Sequence, residues 1–429
     1  MSIIFHVDVN SAFLSWTAVR MLEEGYSVDI RDIPSAIAAG DENSRHAIVL
    51  AKSVPAKRFG VKTADTIYQA RKKCPDIQFF PPDFKTFHYH SERMFNLLSE
   101  YSPIIERFSI DECFIDYTAS EMAFGDPVKV AHEIGARIKN ELGFTVNVGV
   151  STNKLLAKMA SDFEKPDRVH TLFPEEIEKK MWPLPIEELF MVGRSSAKKF
   201  RSININTIGD LAHFDRNALV SMLKSYGGTI WEYANGIDPS PVCINDDVKE
   251  KSIGNSITTA YDVKDEKEAF RVLLWLSEKT VGRLRSAGHK AGVVTLIFKT
   301  NEFVSYSHQA KLSSGISTVD EVFSCAKMLF REGWKGEPLR LMGISLSGFE
   351  DDAAEQISFL QTTDRGDLVL SEDVNSAEGS SSAIAGVNKK KSEALEEALT
   401  QIRAKYGIDS VTRAGAASKK ELSEKKRRR

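Results

Sequence analysis

The stretch Ser109-Ile110-Asp111-Glu112-Cys113-Phe114-Ile115-Asp116 sets two adjacent carboxylates between apolar, β-prone residues. Neither Gly nor Pro marks the polar pair as an ordinary turn. The pair could still be a solvated junction between two strands. Alternatively it is a metal site, because neighbouring carboxylates repel and a hard divalent cation such as Mg²⁺ takes oxygen ligands from both. A metal site requires a further carboxylate from another part of the chain.

The N-terminus supplies a candidate for that carboxylate. Residues 3–7 are a short β-prone run, and Asp8 stands at its end. Asn10 and Ser11 are expected to cap a helix that begins at residue 12, so the backbone N–H groups of residues 10–13 would offer an anion site beside Asp8. By itself Asp8 could be only a helix cap. With the acidic pair it makes three carboxylates from two distant segments, next to a place for phosphate.

Composition narrows the class of protein but not its activity. The 429 residues, 42% of them hydrophobic, are typical of a globular chain with several domains. The 57 Lys and Arg against 60 Asp and Glu do not identify a nucleic-acid binder, so any basic surface must be local. No signal peptide or long apolar run is visible, which predicts a soluble cytoplasmic protein. The four cysteines form no CxxC pair, which argues against a zinc site or a disulfide framework.

The periodicity of the later chain predicts two further modules. Residues 189–200 are typical of a helix-hairpin-helix, whose turn amides hold a DNA phosphate, and a second pair of helices is expected within 219–237 around Tyr226-Gly227-Gly228. Simple helical packing is the alternative. Residues 252–347 follow a β-α-β-β-α-β order, which predicts a four-stranded sheet covered on one face. Between residues 251 and 349 there are 14 Lys and Arg against 10 Asp and Glu, a mildly basic balance suited to backbone binding.

Three motifs follow one another along the chain: Asp8 with Phe13, Ala-Lys-Arg-Phe-Gly-Val at 56–61, and Ser-Ile-Asp-Glu at 109–112. In this order and at these separations they resemble the Y-family of translesion DNA polymerases, most closely its DinB-like subgroup. The resemblance covers about residues 1–350 and implies an α+β multidomain fold, the right-hand polymerase. The implied domains are a palm (1–10 and 83–168), short fingers (11–82), a helix-hairpin-helix thumb (169–240), a linker (241–251), a βαββαβ little finger (252–350) and a tail (351–429).

The same resemblance implies a DNA-directed DNA polymerase that adds dNMP to a primer 3′-hydroxyl, with low fidelity, without proofreading and across lesions. Asp8, Asp111 and Glu112 would be catalytic and, with the Val9 carbonyl, would hold two Mg²⁺. Phe13 would be the steric gate that excludes a ribose 2′-hydroxyl. The implied dNTP contacts are Asn10, Ser11, Ala12, Phe13, Lys57 and Lys165, and the implied DNA contacts in the hairpin are Val192, Gly193 and Arg194.

The chain departs from the family in one segment of the fingers. DinB-like enzymes commonly carry Tyr and Arg three residues apart there, whereas this chain has Val54 and Lys57. Lysine is a point charge without the bidentate fork of arginine. Triphosphate binding through this position is therefore expected to be weaker or rearranged.

The tail changes composition. Residues 350–388 are rich in Ser, Asp, Glu and Ala and are expected to be mostly disordered, and residues 389–406 are expected to form an amphipathic helix before a basic end at 425–429. Gln356-Ile357-Ser358-Phe359-Leu360 resembles the peptides by which bacterial DNA polymerases bind the sliding clamp. The implied partners are primer-template DNA, dNTP and the clamp. A monomer is expected in the bacterial cytoplasm, at the nucleoid when engaged on DNA and without a membrane partner.

Two other functions stay open at this level. A nucleotide cyclase or another palm-domain nucleotidyl transferase could use the same carboxylates, although it would not need the hairpin or the second sheet. A catalytically inactive scaffold could bind DNA and clamp, and the Lys57 departure keeps that alternative alive. The three intact carboxylates favour the polymerase.

Overall fold

The computed structural model describes residues 2–39, 47–244 and 250–350, the stretches 360–362 and 368–370, and scattered residues between 394 and 422. The chain divides into two compact units, of which the first ends at residue 249 and the second begins at residue 250. Within these described residues no helix is both long and apolar enough to cross a membrane.

The first unit mixes short strands and helices. Its strands are β1 (Ile4–Val9), β2 (Ser35–Ala38), β3 (Val49–Lys52), β4 (Gln78–Phe80), β5 (Ile105–Arg107), β6 (Glu112–Asp116), β7 (Val146–Ser151) and β8 (Val169–Thr171). Its helices are α1 (Ala12–Glu23), α2 (Val54–Arg58), α3 (Ile67–Lys73), α4 (Phe84–Leu98), α5 (Glu121–Phe124), α6 (Pro127–Arg137, continued by a π turn over Ile138–Leu142), α7 (Lys154–Asp162), α8 (Ile177–Lys180), α9 (Arg194–Arg201), α10 (Ile208–Ala212), α11 (Arg216–Leu223) and α12 (Ser225–Ala234).

The central sheet of this unit has the strand order β5-β6-β1-β7-β8. Strand β1 lies in the middle, antiparallel to both β6 and β7, and nearly all its residues are buried. Helices α1, α4 and α6 cover one face through an apolar core that contains Trp16, Phe87 and Phe144. Because β1 and β6 are neighbours, the two acidic segments meet. The strand predicted before Asp8 is confirmed as β1, which continues one residue past Asp8 to Val9.

Helix α7 packs on the same sheet at very close range. A Cβ atom at Gly149 of β7 would collide with the carbonyl of Ala157, so only glycine lets this helix lie so near the strand. The Asn153 side chain begins the helix by accepting a hydrogen bond from the Leu156 amide at 2.9 Å. The close approach brings the polar residues of α7 to the ends of β1 and β6.

The helical region after β8 differs in detail from the predicted pair of hairpins. Only a 3₁₀ turn (Ile186–Glu188) precedes the first hairpin turn, and α9 follows it. Met191 adopts φ 73° in that turn, a backbone region that favours glycine. The second predicted turn, at residues 226–228, is wrong: α11 ends and α12 begins around Lys224. Gly227 lies inside α12, where a Cβ would collide with the Leu219 carbonyl, so this glycine serves close helix packing instead of a turn.

The second unit confirms the predicted β-α-β-β-α-β order, with longer strands than the sequence suggests. Its elements are β9 (Ser252–Val263), α13 (Glu266–Ser286), β10 (Lys290–Thr300), β11 (Ser305–Ile316), α14 (Val319–Gly333) and β12 (Leu339–Glu350), and the strand order is β11-β10-β12-β9. Both helices pack on one face, over a core that includes Leu276, Phe298 and Phe330. Capping explains where the helices begin, because the Asp265 side chain caps α13 and Thr318 with Glu321 forms a capping box for α14.

Beyond residue 350 two short strands, β13 (Leu360–Thr362) and β14 (Leu368–Leu370), pair antiparallel. These six residues include β-prone leucine, valine and threonine, which interrupt the polar composition. That residues 350–388 are mostly disordered stays a prediction. Of the candidate clamp peptide, Gln356, Ile357, Ser358 and Phe359 lie outside the described residues, and Leu360 is the first residue of β13.

Candidate active site

The three predicted carboxylates meet at one end of the central sheet. Asp8 of β1 stands directly opposite Glu112 of β6 in the antiparallel register, so their side chains share a face of the sheet. Asp111 immediately precedes β6 and is tied to β1, since the Val9 amide donates to the Asp111 carbonyl at 3.0 Å. The structure therefore brings together residues that are about a hundred positions apart in sequence.

Glu112 is held by two cationic or polarisable groups. Lys158 Nζ donates to Glu112 Oε2 at 2.7 Å, and His6 Nε2 lies 3.3 Å from the same oxygen. Burial by itself would raise the pKa of Glu112, but the hydrogen bonds from His6 and Lys158 and the lysine charge outweigh it and lower that pKa to about 2. Glu112 is thus a permanent anion at any physiological pH.

Asp111 is in the opposite electrostatic situation. Burial raises its pKa first, and the negative charges of Asp8 and Glu112 raise it further, while a hydrogen bond from Ser109 Oγ at 2.6 Å acts the other way. A carboxylate under this repulsion is stabilised by any cation that reaches it. The site therefore has an unmet demand for positive charge at Asp111.

Asp8 is neutralised by the lysine that the family resemblance places at the triphosphate. Lys165 Nζ forms a close ion pair with Asp8 Oδ2 and also lies 2.8 Å from Asp162 Oδ1. Burial lowers the pKa of Lys165, but the charges of Asp8 and Asp162 and their hydrogen bonds raise it overall. Lys165 is accordingly charged and in direct contact with the carboxylates of Asp8 and Asp162.

The donor set fits divalent cations, although its oxygens do not converge in this arrangement. No three or more His, Cys, Asp or Glu side chains in the described residues are grouped closely enough to hold a metal ion. Lysines pair with two of the carboxylates instead, Lys165 with Asp8 and Lys158 with Glu112. Hard oxygen donors under mutual repulsion suit Mg²⁺. Asn10 Oδ1, two residues after Asp8, is buried and has no hydrogen-bond partner among the described residues.

The predicted anion cradle at the start of α1 is smaller than expected. The Asn10 amide is not free, because it donates to the Thr145 carbonyl at 3.0 Å, and the Asn10 side chain donates to Thr145 Oγ1. Ser11 stands at the N-cap position but makes no side-chain cap, since the tight turn from strand to helix places it at φ 50°. In the described part of the chain, the amides of Ser11, Ala12 and Phe13 have no acceptor and remain available to an anion.

Phe13 is fixed by an aromatic cluster beside that cradle. Its ring stacks on Phe87 with centroids 4.5 Å apart and an interplanar angle of 15°. The ring centroids of Phe84 and Trp16 lie 6.1 and 6.2 Å from that of Phe13. These contacts therefore hold the Phe13 ring in a defined position beside the cradle.

The remaining predicted contacts are Lys57 on α2 and the turn residues that precede α9. Lys57 is exposed on α2, and Ser53 caps that helix. The pKa of the neighbouring Lys52 is lowered, mainly by burial and also by the positive charge of Lys57. Val192, Gly193 and Arg194 form the end of the hairpin turn, where Gly193 is the N-cap of α9. No ligand contact for these residues follows from the geometry of the chain alone.

Sequence reasoning missed His6, Lys158 and Ser161. His6 is fully buried and joins Glu112 to Ser161, whose Oγ lies 2.8 Å from His6 Nδ1. A lysine at position 158 within the otherwise buried run Leu155-Leu156-Ala157-Lys158-Met159-Ala160 was the available signal, because an isolated charge on an apolar helix face requires a partner.

Replacing Lys158 by methionine is expected to destabilise the first unit in a pH-dependent way. With its pKa depressed from 4.5 to about 2, Glu112 contributes stability above pH 4.5 that is lost as the pH falls towards 2. At pH 7 the free energy of unfolding of the variant should be about 1–3 kcal/mol below that of wild type. At pH 4 this difference should be smaller by about 1 kcal/mol. Urea unfolding at both pH values measures it.

The matched control for this prediction is the double variant Lys158→Met with Glu112→Gln. Removing the buried charge should recover part of the lost stability and abolish the pH dependence of the remainder. A gap between wild type and Lys158→Met that is equal at pH 7 and pH 4 would contradict the assigned pairing.

Comparison with known sequences bears directly on this site. Residues 7–162 match the sequence model of the impB/mucB/samB family, and residues 250–359 match that of the family's C-terminal domain. DNA polymerase IV of Clostridium acetobutylicum is 45% identical over 421 residues, which cover 98% of this chain and 99% of the relative. DNA polymerase IV of Clostridium kluyveri is 36% identical, with 97% and 98% of the two chains covered.

Solved structures show the same fold at lower identity. A Y-family DNA polymerase chimera of Dbh and Dpo4 matches with a TM-score of 0.70 at 24% identity, covering 81% of this chain and 99% of the other. DinB from Sulfolobus solfataricus matches with a TM-score of 0.53 at 24% identity, covering 80% and 98%. The predicted α+β polymerase fold is thereby confirmed. Since family models match both units and the relatives match nearly the whole length, the chain belongs to the Y-family of translesion DNA polymerases, beside its DNA polymerase IV members, and is a DNA-directed DNA polymerase.

Proposed function

We propose that this polymerase extends a DNA primer by nucleotidyl transfer at the site of Asp8, Asp111 and Glu112, with two Mg²⁺ as cofactors. The observation that carries the proposal is the register that sets Asp8 against Glu112, with Asp111 tied to the neighbouring strand. These carboxylates and the Val9 carbonyl would hold the ions. When bound, two Mg²⁺ lower the pKa of the primer 3′-hydroxyl and stabilise the charge that develops at the α-phosphate.

The protein groups around the carboxylates have assignable roles in binding the dNTP. The amides of Ser11, Ala12 and Phe13 would receive phosphate oxygens at the start of α1. Lys165 would exchange its Asp8 partner for the triphosphate, since both are anionic and its raised pKa keeps it charged. Lys57, exposed on α2, would supply a second positive charge, without the bidentate geometry of arginine.

The domain roles follow the predicted boundaries. We assign the central sheet region (1–10 and 83–168) as palm, residues 11–82 as fingers and 169–240 as thumb, with residues 252–350 as the little finger. In its described residues, 11–39 and 47–82, the fingers region contains α1, the small sheet of order β3-β2-β4, α2 and α3. So little structure to enclose a nascent base pair favours low fidelity and synthesis across lesions. Proofreading is not expected, because the described elements between residues 2 and 350 all belong to the polymerase fold.

The open face of the second sheet suits a duplex backbone. In the observed register, Gln309, Thr295, Ser345 and Gly254 stand in one row across the four strands. Neighbouring rows add small hydroxyl residues and the lysines at 299 and 311. Hydroxyls, backbone and lysine contact phosphate without reading sequence, which is what a polymerase requires of its template grip.

Primer extension on primed DNA with Mg²⁺ and four dNTPs tests the proposal. Extension that stops on chelation and leaves a mismatched 3′ end uncut supports it. A wild-type protein that binds primed DNA but adds no nucleotide would support the inactive scaffold, and conversion of a nucleoside triphosphate without any template would support a cyclase.

We also propose that Gln356, Ile357, Ser358, Phe359 and Leu360 bind the bacterial sliding clamp in the cytoplasm while the polymerase itself stays a monomer. Replacing Gln356, Phe359 and Leu360 by alanine should abolish stimulation by the clamp and spare basal extension. A matched control is the triple alanine variant of Gln361, Thr362 and Thr363, which leaves the peptide intact. Equal loss of basal and stimulated activity would assign the segment to the fold instead.

A further inference from the structure

The C-terminal end of the chain returns to the helical face of the second unit. The described residues of this end, Val411, Arg413, 415–417 and Leu422, are here called the C-terminal segment. Ala417 is 3% exposed and Leu422 is fully buried, and both belong to the apolar cluster that contains residues of α13 and α14. Part of the tail that was expected to be mostly disordered therefore packs on the second unit.

Directed polar contacts accompany the apolar ones. The Arg413 amide donates to Glu278 Oε1 at 2.8 Å, and the Arg413 guanidinium donates to Asp320 Oδ1 at 2.6 Å. The Ala417 amide donates to the Arg271 carbonyl at 3.1 Å. The segment thus contacts α13 at two positions along the helix, Arg271 and Glu278, and α14 at one, Asp320.

Glu278 is the residue of α13 whose side chain receives the backbone of the C-terminal segment. It is a carboxylate on a helix of the core, only 3% exposed, and it receives a backbone amide from a residue 135 positions away. Buried carboxylates are retained where hydrogen bonds compensate their desolvation. Asp320 adds a second acidic group at the first turn of α14. The two acids favour a basic residue such as Arg413.

Beside the segment a cavity of about 460 Å³ remains open on this helical face. Phe270, Leu274 and Phe323 line it, and Gly415 closes one side. Small residues at 415–417 let the backbone of the segment lie close to α13. The face is therefore a groove that accepts a peptide with a basic residue, Arg413, and a leucine, Leu422, whose backbone turns between residues 413 and 416.

We propose that this groove is a peptide-binding site that the chain occupies in cis with its own C-terminal segment. The chain between residues 350 and 411 is then held at both ends on the second unit. Closing a connection of this length costs entropy that grows only with the logarithm of its length. The tether instead gives the segment a high effective concentration at the groove, so modest contacts suffice to keep it docked.

Hydrogen exchange on the full-length protein tests whether the segment is docked. The amides of Arg413 and Ala417 are expected to exchange at least about tenfold more slowly than in a synthetic peptide of residues 405–429. In the full-length Leu422→Asp variant this protection should disappear, while the exchange of β10 and β12 stays as in wild type. Wild-type amides that exchange at the rate of the free peptide would overturn the proposal.

A binding experiment tests whether the groove is a site in its own right. The fluorescent 405–429 peptide should bind the Leu422→Asp protein, and it should bind wild type at least about tenfold more weakly because wild type fills the groove in cis. A peptide that carries Arg413→Ala and Leu422→Asp is the matched control and should not bind. Failure of the native peptide to bind the variant would overturn the proposal, since the groove would then not be an independent site.

Dilution separates docking in cis from exchange between copies. Protection of Arg413 and Ala417 should be unchanged from high to low protein concentration. Protection that falls on dilution, in step with a dimer that dissociates, would show that the segment docks on a second copy and would overturn the cis assignment. Basal primer extension by Leu422→Asp should match wild type, because the segment contacts helices α13 and α14 and not the open sheet face proposed to bind the duplex.

Discussion

The Asp111→Ala protein is expected to lose primer extension by roughly 10³-fold or more while its affinity for primed DNA stays within about twofold of wild type. Asp111 is the carboxylate whose pKa is raised by burial and by Asp8 and Glu112, so it carries the strongest demand for a cation at the site. Without Asp111, the remaining carboxylates Asp8 and Glu112 stay paired with Lys165 and Lys158, and cation binding no longer relieves repulsion from a third carboxylate. Single-turnover extension and a binding isotherm measure the two quantities.

The matched control for this loss is Asp116→Ala. Asp116 lies at the far end of β6, where its side chain accepts the Thr118 amide at 2.9 Å, so the same chemical change is made outside the site. Its activity should stay within about twofold of wild type. Because Asp111→Ala removes like-charge repulsion, its unfolding midpoint should equal or exceed that of wild type. If extension by Asp111→Ala matched wild type, the metal role of the pair would be refuted.

Phe13→Ala is expected to raise incorporation of ribonucleotides relative to deoxyribonucleotides by roughly 10²-fold or more. The Phe13 ring stacks on Phe87 and touches Trp16 and Phe84, so it cannot swing aside to admit a 2′-hydroxyl. Alanine leaves open space where the ring stood. The ratio of kcat/KM for each rNTP and its dNTP on the same primed template measures the effect.

Phe84→Ala is the matched control for the gate. Phe84 is 54% exposed and contacts the edge of Phe13, so its loss loosens the cluster but leaves the gate ring in place. We expect a change in the ratio of less than about tenfold. An unchanged ratio in Phe13→Ala would remove Phe13 from the gate role, and an equal rise in both variants would assign selection to the cluster as a whole.

The elements of both units were predictable because their patterns are local. The β-prone run before Asp8 and the β-α-β-β-α-β order after residue 252 depend on hydrophobic periodicity and capping, and both are observed. The predictions that failed involve glycine and backbone geometry. Gly227 was taken as a turn residue because glycine is common in turns, yet its lack of a side chain serves close packing of two helices. Likewise the Asn10 amide was taken as free, and a partner from a distant loop, Thr145, occupies it.

The sequence by itself predicted a site of three carboxylates from two distant segments, and the family resemblance added Phe13 and Lys165 as contacts of the dNTP. Those are properties of residue type and order, and they also carry the family resemblance. Only the tertiary structure decided the partners that tune them. Lys158 and His6 lower the pKa of Glu112, and Lys165 pairs with Asp8. Lys158 reaches Glu112 from α7, which packs closely on Gly149 of the central sheet. Pairing between residues so far apart depends on how helices and strands pack, and no local pattern encodes it.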